Sequence, residues 1–195
     1  MIAIVDYDAG NIKSVGNALA RLGAEYVLTD SAAEIEAADK VILPGVGNAA
    51  EAVASLRAKC LDKFVRSLRK PVLGICAGMQ IMCRHSEEGD ASCLGIFDCN
   101  VLRFNVSNDA KVPHMGWNAI SNLDSGLFKG MKGGCCMYFV HSYYPQLCCD
   151  TIATCRHGGT IFSAALRYEN FYGTQFHPEK SGEAGEMILR NFLAL

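Results

Sequence analysis

The sequence lacks a long apolar run and an excess of charge of either sign. Its 195 residues carry 18 Lys and Arg against 20 Asp and Glu, a formal net charge of −2 at pH 7. A nucleic-acid-binding domain is normally basic, with Lys and Arg clustered on one face, and the sequence has no such cluster. The apolar stretch at 41–54 is interrupted by Pro44 and Glu51, and none reaches the roughly 18 residues of a membrane span. We therefore expect no nucleic-acid partner and no membrane partner.

A secretory leader and a metal-binding cysteine spacing are also missing. The first residues, Met1 to Asp6, lack the positively charged region of a signal peptide. Ten cysteines without such a leader indicate a reducing compartment and mostly free, buried thiols, so we expect a soluble cytoplasmic protein. No C-x-x-C spacing occurs, and the adjacent pairs Cys135-Cys136 and Cys148-Cys149 would point to opposite faces of a strand. We expect neither a metal nor another cofactor.

Periodicity in the first half alternates between short apolar strands and amphipathic helices. Strands are predicted at 2–6, 25–28, 40–43 and 71–75, and helices at 11–22, from a capping box at 31–34, at 48–59, and from 77 to about 85. Apolar strands that alternate with helices are typical of a parallel sheet covered on both faces. The pattern predicts a doubly wound α/β unit.

The second half is richer in strands. Strand-like runs separated by turn residues lie at 101–104, 137–140, 152–155, 161–166 and 171–175, and a helical pattern returns at 182–195. Since no repeat, low-complexity tract or linker divides the chain, we expect a single domain over 1–195. The fold prediction is α/β: a doubly wound mixed, mainly parallel sheet with helices on both faces and a β-rich second half.

One cysteine stands at a turn that is typical of a nucleophile. Gly74-Ile75-Cys76-Ala77-Gly78 has the form G-x-C-x-G between a predicted strand and a predicted helix, a nucleophile elbow with a thiol in place of a hydroxyl. The turn is tight, so side chains at the two glycine positions would collide with neighbouring backbone. A helix N-terminus also stabilises a thiolate. The alternative interpretation is that Cys76 is a small buried residue in a glycine-rich turn, with no catalytic role.

A thiolate nucleophile needs a base, and the base needs a group to orient it. His177 follows the predicted strand at 171–175, and Pro178 fixes a bend that presents Glu179 two positions later. A surface His-Pro-Glu turn is the alternative interpretation. The remaining histidines lack an adjacent carboxylate, with one expected at a solvated helix end, one in a turn and two in less ordinary contexts: His85, His157, His114 and His141.

Together with four further segments, these motifs resemble the triad-type (class I) glutamine amidotransferase family. The six segments are GICAGMQ at 74–80, GTQFHPEKS at 173–181, DYDAGN at 6–11, LPGVG at 43–47, VPHMGWN at 112–118 and YFVHSYY at 138–144. Their combination and order are similar to the branch of the family that passes ammonia to a cyclase in histidine biosynthesis. The resemblance spans the whole chain.

The resemblance implies the roles of the reacting groups. Cys76 would attack the side-chain amide of glutamine and form a γ-glutamyl thioester. His177 would protonate the departing ammonia and later activate water, while Glu179 holds its ring. The oxyanion would be stabilised by the backbone N–H of Ala77 and by one N–H from the loop Gly45-Val46-Gly47.

Binding roles are implied in the same way. Gln80 and Glu88 match positions that contact the amino-acid head group of glutamine, and Ser142 and Tyr143 match a segment that lines its pocket. The resemblance further implies a heterodimer partner, a (β/α)8-barrel cyclase subunit, which receives ammonia over the active-site face. Four positions match that interface: Asn11, Trp117, Tyr138 and Lys180.

One departure from the family pattern follows the nucleophile, where Ala77 replaces the more common leucine or valine and predicts looser packing beside the thiol. Three alternatives stay open on the sequence. The chain could be the glutaminase of vitamin B6 synthesis, although that enzyme normally has a Pro-Gly-Gly-Glu-Ser type loop. It could also be a γ-glutamyl cysteine hydrolase that works without a partner, or an inert binding module on this fold.

Overall fold

A computed structural model describes residues 1–8, 10–105 and 111–195, which form two β-sheets and six α-helices. The strands are β1 (Ile2–Val5), β2 (Tyr26–Thr29), β3 (Lys40–Leu43), β4 (Val72–Ile75), β5 (His85–Ser86), β6 (Ala91–Ser92), β7 (Asn100–Arg103), β8 (His114–Ser121), β9 (Cys136–His141), β10 (Tyr143–Pro145), β11 (Thr151–His157), β12 (Thr160–Tyr168) and β13 (Phe171–Thr174). The helices are α1 (Ile12–Arg21), α2 (Ala32–Ala37), α3 (Ala49–Ala58), α4 (Asp62–Ser67), α5 (Ala77–Gln80) and α6 (Gly182–Leu193), with 3-10 turns at Gly126–Phe128 and Pro178–Lys180.

The larger sheet is mixed, as the sequence predicts. Its strand order is β2-β1-β3-β4-β13-β12-β11-β8-β9. The five strands from β2 to β13 pair in parallel, and the neighbours from β13 to β9 pair antiparallel. The smaller sheet has the order β10-β7-β5-β6, and three of its strands, β5, β6 and β7, follow α5 directly in the chain.

Helices cover both faces of the parallel half. Ile2 and Ile4 of β1 belong to one apolar core, which also contains buried residues of α1 and α6. Ala3 and Val5 of the same strand belong to a second core, which includes buried residues of α2, α3 and α4. This alternation places a buried side chain on each face at successive strand positions, which explains why β1 is apolar throughout. The predicted α/β class is confirmed.

The helix predicted from 77 to about 85 is wrong in length, because α5 ends at Gln80. The carbonyl groups of Ile81, Met82 and Cys83 accept hydrogen bonds from backbone N–H groups of 94–97, so they are not available to a continuing helix. His85, expected at a solvated helix end, instead lies in β5 and pairs with β6 and β7. Its Nε2 is 3.3 Å from Asp90 Oδ1, so the expectation that it lacks a neighbouring carboxylate is also wrong.

The cysteines are free but less buried than expected. All ten are described and none forms a disulfide; four are buried, Cys76, Cys83, Cys99 and Cys155, while the others are partly or fully exposed. The prediction of mostly buried thiols is therefore wrong, whereas the prediction of free thiols is confirmed. In the described ranges, no three His, Cys, Asp or Glu side chains are grouped to hold a metal ion. Nor does any described helix have the length and apolar character needed to cross a membrane.

Candidate active site

Three loops meet at the carboxyl ends of β1, β3 and β4. The Tyr7 hydroxyl, in the loop after β1, donates a hydrogen bond to the carbonyl oxygen of Pro44 in the loop after β3. A Cβ placed on Gly45 would be 2.6 Å from the backbone nitrogen of Gly78, in the turn after β4. Ala9 of the first loop lies outside the described residues. The loops pack directly on one another, as expected for a site at the edge of an open sheet.

Cys76 occupies the strained elbow between β4 and α5. Its φ of 54° and ψ of −111° are rarely adopted by a non-glycine residue. A Cβ on Gly74 would lie 2.6 Å from the Gly78 carbonyl oxygen, and one on Gly78 would lie 2.0 Å from the Leu43 carbonyl oxygen. Both glycines of the G-x-C-x-G motif are therefore required by backbone contacts, which supports the nucleophile-elbow interpretation.

The thiol is held among polar groups at the end of β13. The backbone N–H of Cys76 donates to the Thr174 carbonyl oxygen at 2.7 Å. The Gln175 side-chain amide donates to Cys76 Sγ at 3.6 Å, and Gln175 is fully buried. A donor at this position stabilises negative charge on sulfur. The sequence reasoning missed Gln175, although its place two residues before His177 in GTQFHP was an available signal.

His177 and Glu179 form a buried pair. His177 Nδ1 lies 2.8 Å from Glu179 Oε1, and neither side chain is exposed to solvent. The Asn11 side-chain amide donates to the same carboxylate oxygen at 2.5 Å and lies 3.4 Å from His177 Nδ1. Because the carboxylate accepts at Nδ1, the imidazole is left with Nε2 for chemistry.

Neighbouring groups control the charge of this pair. Burial lowers the pKa of His177, but the nearby Cys76 thiol and the hydrogen-bonded Glu179 carboxylate outweigh it and raise that pKa to about 9. Burial alone would raise the pKa of Glu179, yet contacts with His177 and Asn11 lower it. The arrangement therefore favours an imidazolium beside a carboxylate, which is the acid that a departing amine needs.

Unpartnered polar atoms concentrate at this place. Among the described residues, the buried side-chain nitrogen and oxygen atoms without a hydrogen-bond partner are Thr174 Oγ1, His177 Nε2 and Glu179 Oε2. Cys76 is near enough to His177 to raise its pKa, although it makes no well-directed hydrogen bond to Nε2. Catalytic contacts of this kind often tighten only with substrate. Orphaned buried groups are rare in folded proteins, and these three mark the site.

A cavity of about 260 Å³ opens beside the thiol. It brings together Cys76, two residues of the predicted oxyanion loop and all four predicted substrate-binding residues; its lining is Val46, Gly47, Cys76, Gln80, Glu88, Val140, His141, Ser142 and Tyr143. A larger cavity of about 560 Å³ lies elsewhere and contains none of the predicted residues. We assign the candidate site to the smaller cavity because Cys76, the predicted nucleophile, lines it.

Two of the predicted binding residues are fixed by the protein itself. The Gln80 side-chain amide donates to the Tyr143 carbonyl oxygen and to Gln175 Oε1, both at 2.9 Å. Glu88 Oε2 accepts from the backbone N–H of Ala49 at 2.8 Å, at the start of α3. Burial raises the pKa of Glu88, which is half-buried rather than fully exposed. Gln80 and Glu88 therefore present side-chain oxygens to the cavity from fixed positions.

The predicted oxyanion groups lie beside Cys76. Ala77 is the first residue of α5, so its backbone N–H has no acceptor within the helix. A Cβ on Gly45 would be 2.9 Å from the Ala77 Cβ, which shows how closely the loop after β3 approaches the elbow. The glycine at position 47 has a φ of +105°, a conformation that side-chain-bearing residues rarely adopt.

The four predicted interface residues are linked to the His177–Glu179 pair by direct contacts or by their neighbours. Trp117 and Tyr138 are cross-strand neighbours whose rings meet edge to face with centroids 6.1 Å apart. The Tyr138 carbonyl oxygen accepts from the backbone N–H of His177 at 2.9 Å, and Lys180 is exposed on the 3-10 turn that contains Glu179. Asn11 is not confined to the surface, since it also contacts Glu179. Trp117, the chain's single tryptophan, is 58% exposed, whereas tryptophan side chains are highly buried on average.

Known proteins resemble this chain over its whole length. The sequence profile described as "Glutamine amidotransferase class-I" matches residues 3–195. The chain is 55% identical to "Imidazole glycerol phosphate synthase subunit HisH" of Bacteroides fragilis (strain YCH46), over all of this chain and 99% of the relative. A protein of the same name from Xanthomonas axonopodis pv. citri is 44% identical over all of this chain and 97% of the relative.

Solved structures share the fold at low identity. A structure described as a glutamine amidotransferase superposes with a TM-score of 0.76 at 19% identity, covering 100% of this chain and 98% of that one. A second glutamine amidotransferase, from Thermotoga maritima, gives a TM-score of 0.64 at 15% identity, covering 99% and 82%. At these identities the likeness shows the fold alone.

Proposed function

This chain belongs to the class I glutamine amidotransferase family, and from that premise we propose that it is the glutaminase subunit of imidazole glycerol phosphate synthase. In this proposal residues 1–195 act as one cytoplasmic domain that hydrolyses glutamine to glutamate and ammonia. The observation that carries the proposal is the strained Cys76 beside the buried His177–Glu179 pair, at the edge of a cavity of about 260 Å³. Ten free cysteines fit a reducing compartment.

The first half-reaction forms a thioester. Cys76 attacks as the thiolate, its proton being held on His177 Nε2. Its Sγ forms a C–S bond with the side-chain carbonyl carbon of glutamine and places negative charge on the former carbonyl oxygen. His177 gives its Nε2 proton to the amide nitrogen, the C–N bond breaks, and ammonia leaves. Glu179 holds the ring through Nδ1 and stabilises its positive charge.

The second half-reaction returns the enzyme to its starting state. Neutral His177 takes a proton from water, the resulting hydroxide attacks the thioester carbon, and the C–S bond breaks to release glutamate and the Cys76 thiolate. The imidazolium formed in this step is the form that its neighbours favour. The same residue therefore serves as acid and then as base.

The oxyanion of both steps is stabilised by the N–H of Ala77 and one N–H from Gly45-Val46-Gly47. The close packing of this loop on the elbow supports the assignment, since both donors must lie near Cys76. Removing one such donor typically costs about 10²–10³ in rate.

Glutamine binding uses Gln80, Glu88, Ser142 and Tyr143, which line the cavity together with Val46 and Gly47 of the oxyanion loop. Glu88 attracts the substrate's α-ammonium group, and the Gln80 side-chain oxygen accepts from the same head group while its amide hydrogens are engaged by the protein. Ser142 and Tyr143 line the remaining wall. No cofactor is needed, because every step is a proton or acyl transfer between side chains, substrate and water.

Ammonia released into water is protonated and loses its nucleophilicity, so the acceptor site must be close by. We assign the acceptor to a (β/α)8-barrel cyclase subunit that docks over the mouth of the site. Exposed Met115 and Trp117, together with Tyr138, Lys180 and Asn11, supply the docking surface. Large aromatic side chains are favoured anchors in such interfaces.

The test is glutamine consumption by the chain alone, with the cyclase, and with the cyclase and its substrate. We expect low turnover alone and strong stimulation in the complete mixture, and loss of turnover in Cys76→Ser. High turnover by the isolated chain that the cyclase leaves unchanged would contradict the proposal and favour a stand-alone γ-glutamyl hydrolase.

A further inference from the structure

Three histidines that the reaction does not use lie together behind the glutamine cavity. His114 and His141 are buried, and their rings are held by Phe104, Phe139 and His157. His114 stacks between Phe139, at a centroid distance of 4.8 Å, and His157, at 4.1 Å. His141 also lines the cavity that contains Cys76.

The hydrogen bonds of the two buried rings fix which nitrogen carries the proton. His141 Nδ1 lies 2.8 Å from the carbonyl oxygen of Tyr143, and since a carbonyl only accepts, Nδ1 carries the hydrogen. Nε2 of neutral His141 is then an acceptor. Its partner at 3.0 Å is His114 Nδ1, which must therefore also be protonated.

The same donor-to-acceptor direction holds for the hydrogen bond between His114 and Asn118 of β8. His114 Nε2 is left as an acceptor, and the Asn118 amide nitrogen donates to it at 3.1 Å and to the Arg156 carbonyl oxygen at 2.8 Å. The Asn118 side-chain oxygen accepts from the Ala119 N–H at 2.8 Å, so the orientation of the amide is determined. In each of the three hydrogen bonds that link Asn118, His114, His141 and the Tyr143 carbonyl, the donor is on the Asn118 side and the acceptor on the Tyr143 side.

The series ends at a carbonyl group that also positions Gln80. The Tyr143 carbonyl oxygen accepts from both His141 and Gln80, and Gln80 donates its second hydrogen to Gln175, the residue that contacts the Cys76 thiol. Burial lowers the pKa of His114 to about 4 and that of His141 to about 3, so both rings are neutral at neutral pH. Protonation of either ring at Nε2 would make that nitrogen a donor facing another donor, which is His114 Nδ1 for His141 and the Asn118 amide for His114.

We propose that Asn118, His114 and His141 form a one-way hydrogen-bond relay that positions the Tyr143 carbonyl and, through it, Gln80 for glutamine binding. This inference rests on the proposed function, since it concerns the same cavity. The three are positioning residues and do not touch the reacting atoms. The relay begins on the inner face of β8, whose outer face carries exposed Met115 and Trp117. One strand therefore belongs both to the docking surface and to the support of the pocket.

The first test is spectroscopic and does not depend on activity. Histidine side-chain ¹⁵N NMR of the full chain at pH 7 should show His114 and His141 neutral, each with hydrogen on Nδ1. In Asn118→Asp, a carboxylate faces His114 Nε2, so that ring should gain an Nε2 hydrogen. A wild-type spectrum with hydrogen on Nε2 of either ring would overturn the relay.

The second test measures glutamine affinity. Asn118→Asp replaces the amide that donates to His114 with an acceptor, with little change in side-chain size. Glutamine binding is measured in the cyclase complex carrying Cys76→Ala, and the variant should weaken it by about tenfold, or about 1.4 kcal/mol. With Cys76 intact, the KM for glutamine should rise by about the same factor while kcat stays within about threefold. Asn122→Asp is the matched control, because it makes the same change at an exposed asparagine and should leave the affinity unchanged.

A second pair of variants applies if Asn118→Asp does not fold. An asparagine side chain can place its amide near the Nδ1 position, so His141→Asn should retain glutamine affinity better than His141→Leu. Equal KM values for these two variants, or an affinity in Asn118→Asp within twofold of wild type, would overturn the proposal. Absence of glutamine binding by the otherwise unaltered complex would instead overturn the proposed function, while the NMR result still reports on the relay.

Discussion

The side-chain amide of Asn11 and the imidazole of His177 meet at one oxygen of Glu179, at 2.5 Å and 2.8 Å. Asn11 also lies on the face to which we assign the cyclase. A residue of the proposed docking surface therefore contacts the carboxylate of the proposed triad directly. Its backbone has a φ of 73°, a left-handed conformation that asparagine tolerates better than most residues.

Asn11→Asp tests the importance of this contact. A second carboxylate beside Glu179 replaces a donor with a like charge, so it should raise the pKa of Glu179 and weaken its hold on His177. We expect kcat for glutamine hydrolysis in the cyclase complex to fall by about 10²-fold, less than the loss of a triad member itself. Asn122→Asp is a matched control, since Asn122 also has a positive φ, of 56°, and lies away from the cavity. A kcat for Asn11→Asp equal to that of this control would contradict the assigned role.

Gly78→Ala tests the packing of the elbow. The added Cβ would lie 2.0 Å from the Leu43 carbonyl oxygen, which belongs to the backbone of β3 and cannot move without disturbing the sheet. We expect the free energy of unfolding in urea to fall by about 2–4 kcal/mol. Gly159→Ala is the control, because a Cβ there meets no atom within 4 Å. Similar urea midpoints for both variants would show that the elbow is less tightly packed than described.

Glu179→Gln tests the ion pair through the pH dependence of stability. The pKa of His177 is raised above its ordinary 6.5, and that of Glu179 is lowered below its ordinary 4.5. Their stabilisation is therefore complete between those ordinary values. It is lost as the pH rises through about 9, where His177 deprotonates, and as the pH falls through the lowered pKa of Glu179.

Wild type should consequently exceed Glu179→Gln in unfolding free energy by about 1–3 kcal/mol near pH 5.5. The difference should shrink by pH 10. Urea titrations at both pH values measure it. A difference that grows between pH 5.5 and pH 10 would show that the pair does not carry the charges assigned here.

Glu88 variants separate substrate binding from local stability. Glu88→Gln removes the charge for the α-ammonium group but retains an oxygen for the Ala49 N–H, whereas Glu88→Ala removes both. We expect the KM for glutamine to rise by about 10–100-fold in both variants, and stability to fall mainly in Glu88→Ala. Glu87→Gln, at the exposed neighbour, should change neither quantity. A normal KM in Glu88→Gln would exclude a charge contact with the substrate.

The sequence predicts the parallel half of the fold and the position of the candidate nucleophile because both depend on local pattern. Strands β1, β3 and β4 are short apolar runs. Cys76 stands between two glycines, which are required because a side chain at either position would collide with neighbouring backbone. His177 and Glu179 are two residues apart in one motif. Pattern and spacing were therefore sufficient to single them out as candidates.

Long-range contacts account for what the sequence did not predict. Helix α5 ends at Gln80 because backbone N–H groups of residues 94–97 bond the carbonyl groups of the next three residues, 81–83. Strand β8 contains Gly116 at a φ of +125°, and its polar inner face is satisfied by His141 of β9 and the carbonyl of Arg156. Likewise, the contact of Asn11 with Glu179 joins positions separated by 168 residues. None of these contacts can be predicted from the hydrophobic periodicity of the sequence.

The most direct test is to identify which of the ten cysteines reacts with an electrophilic glutamine analogue in the presence of the cyclase. Cys60, Cys136 and Cys149 are exposed, whereas Cys76 is only 6% exposed, so simple accessibility favours the wrong thiols. Peptide mass spectrometry should find the adduct on Cys76 alone, with its formation abolished by excess glutamine and slowed in His177→Asn. Stoichiometric, glutamine-protected labelling of another cysteine, or none at Cys76 while glutamine is still hydrolysed, would contradict the account.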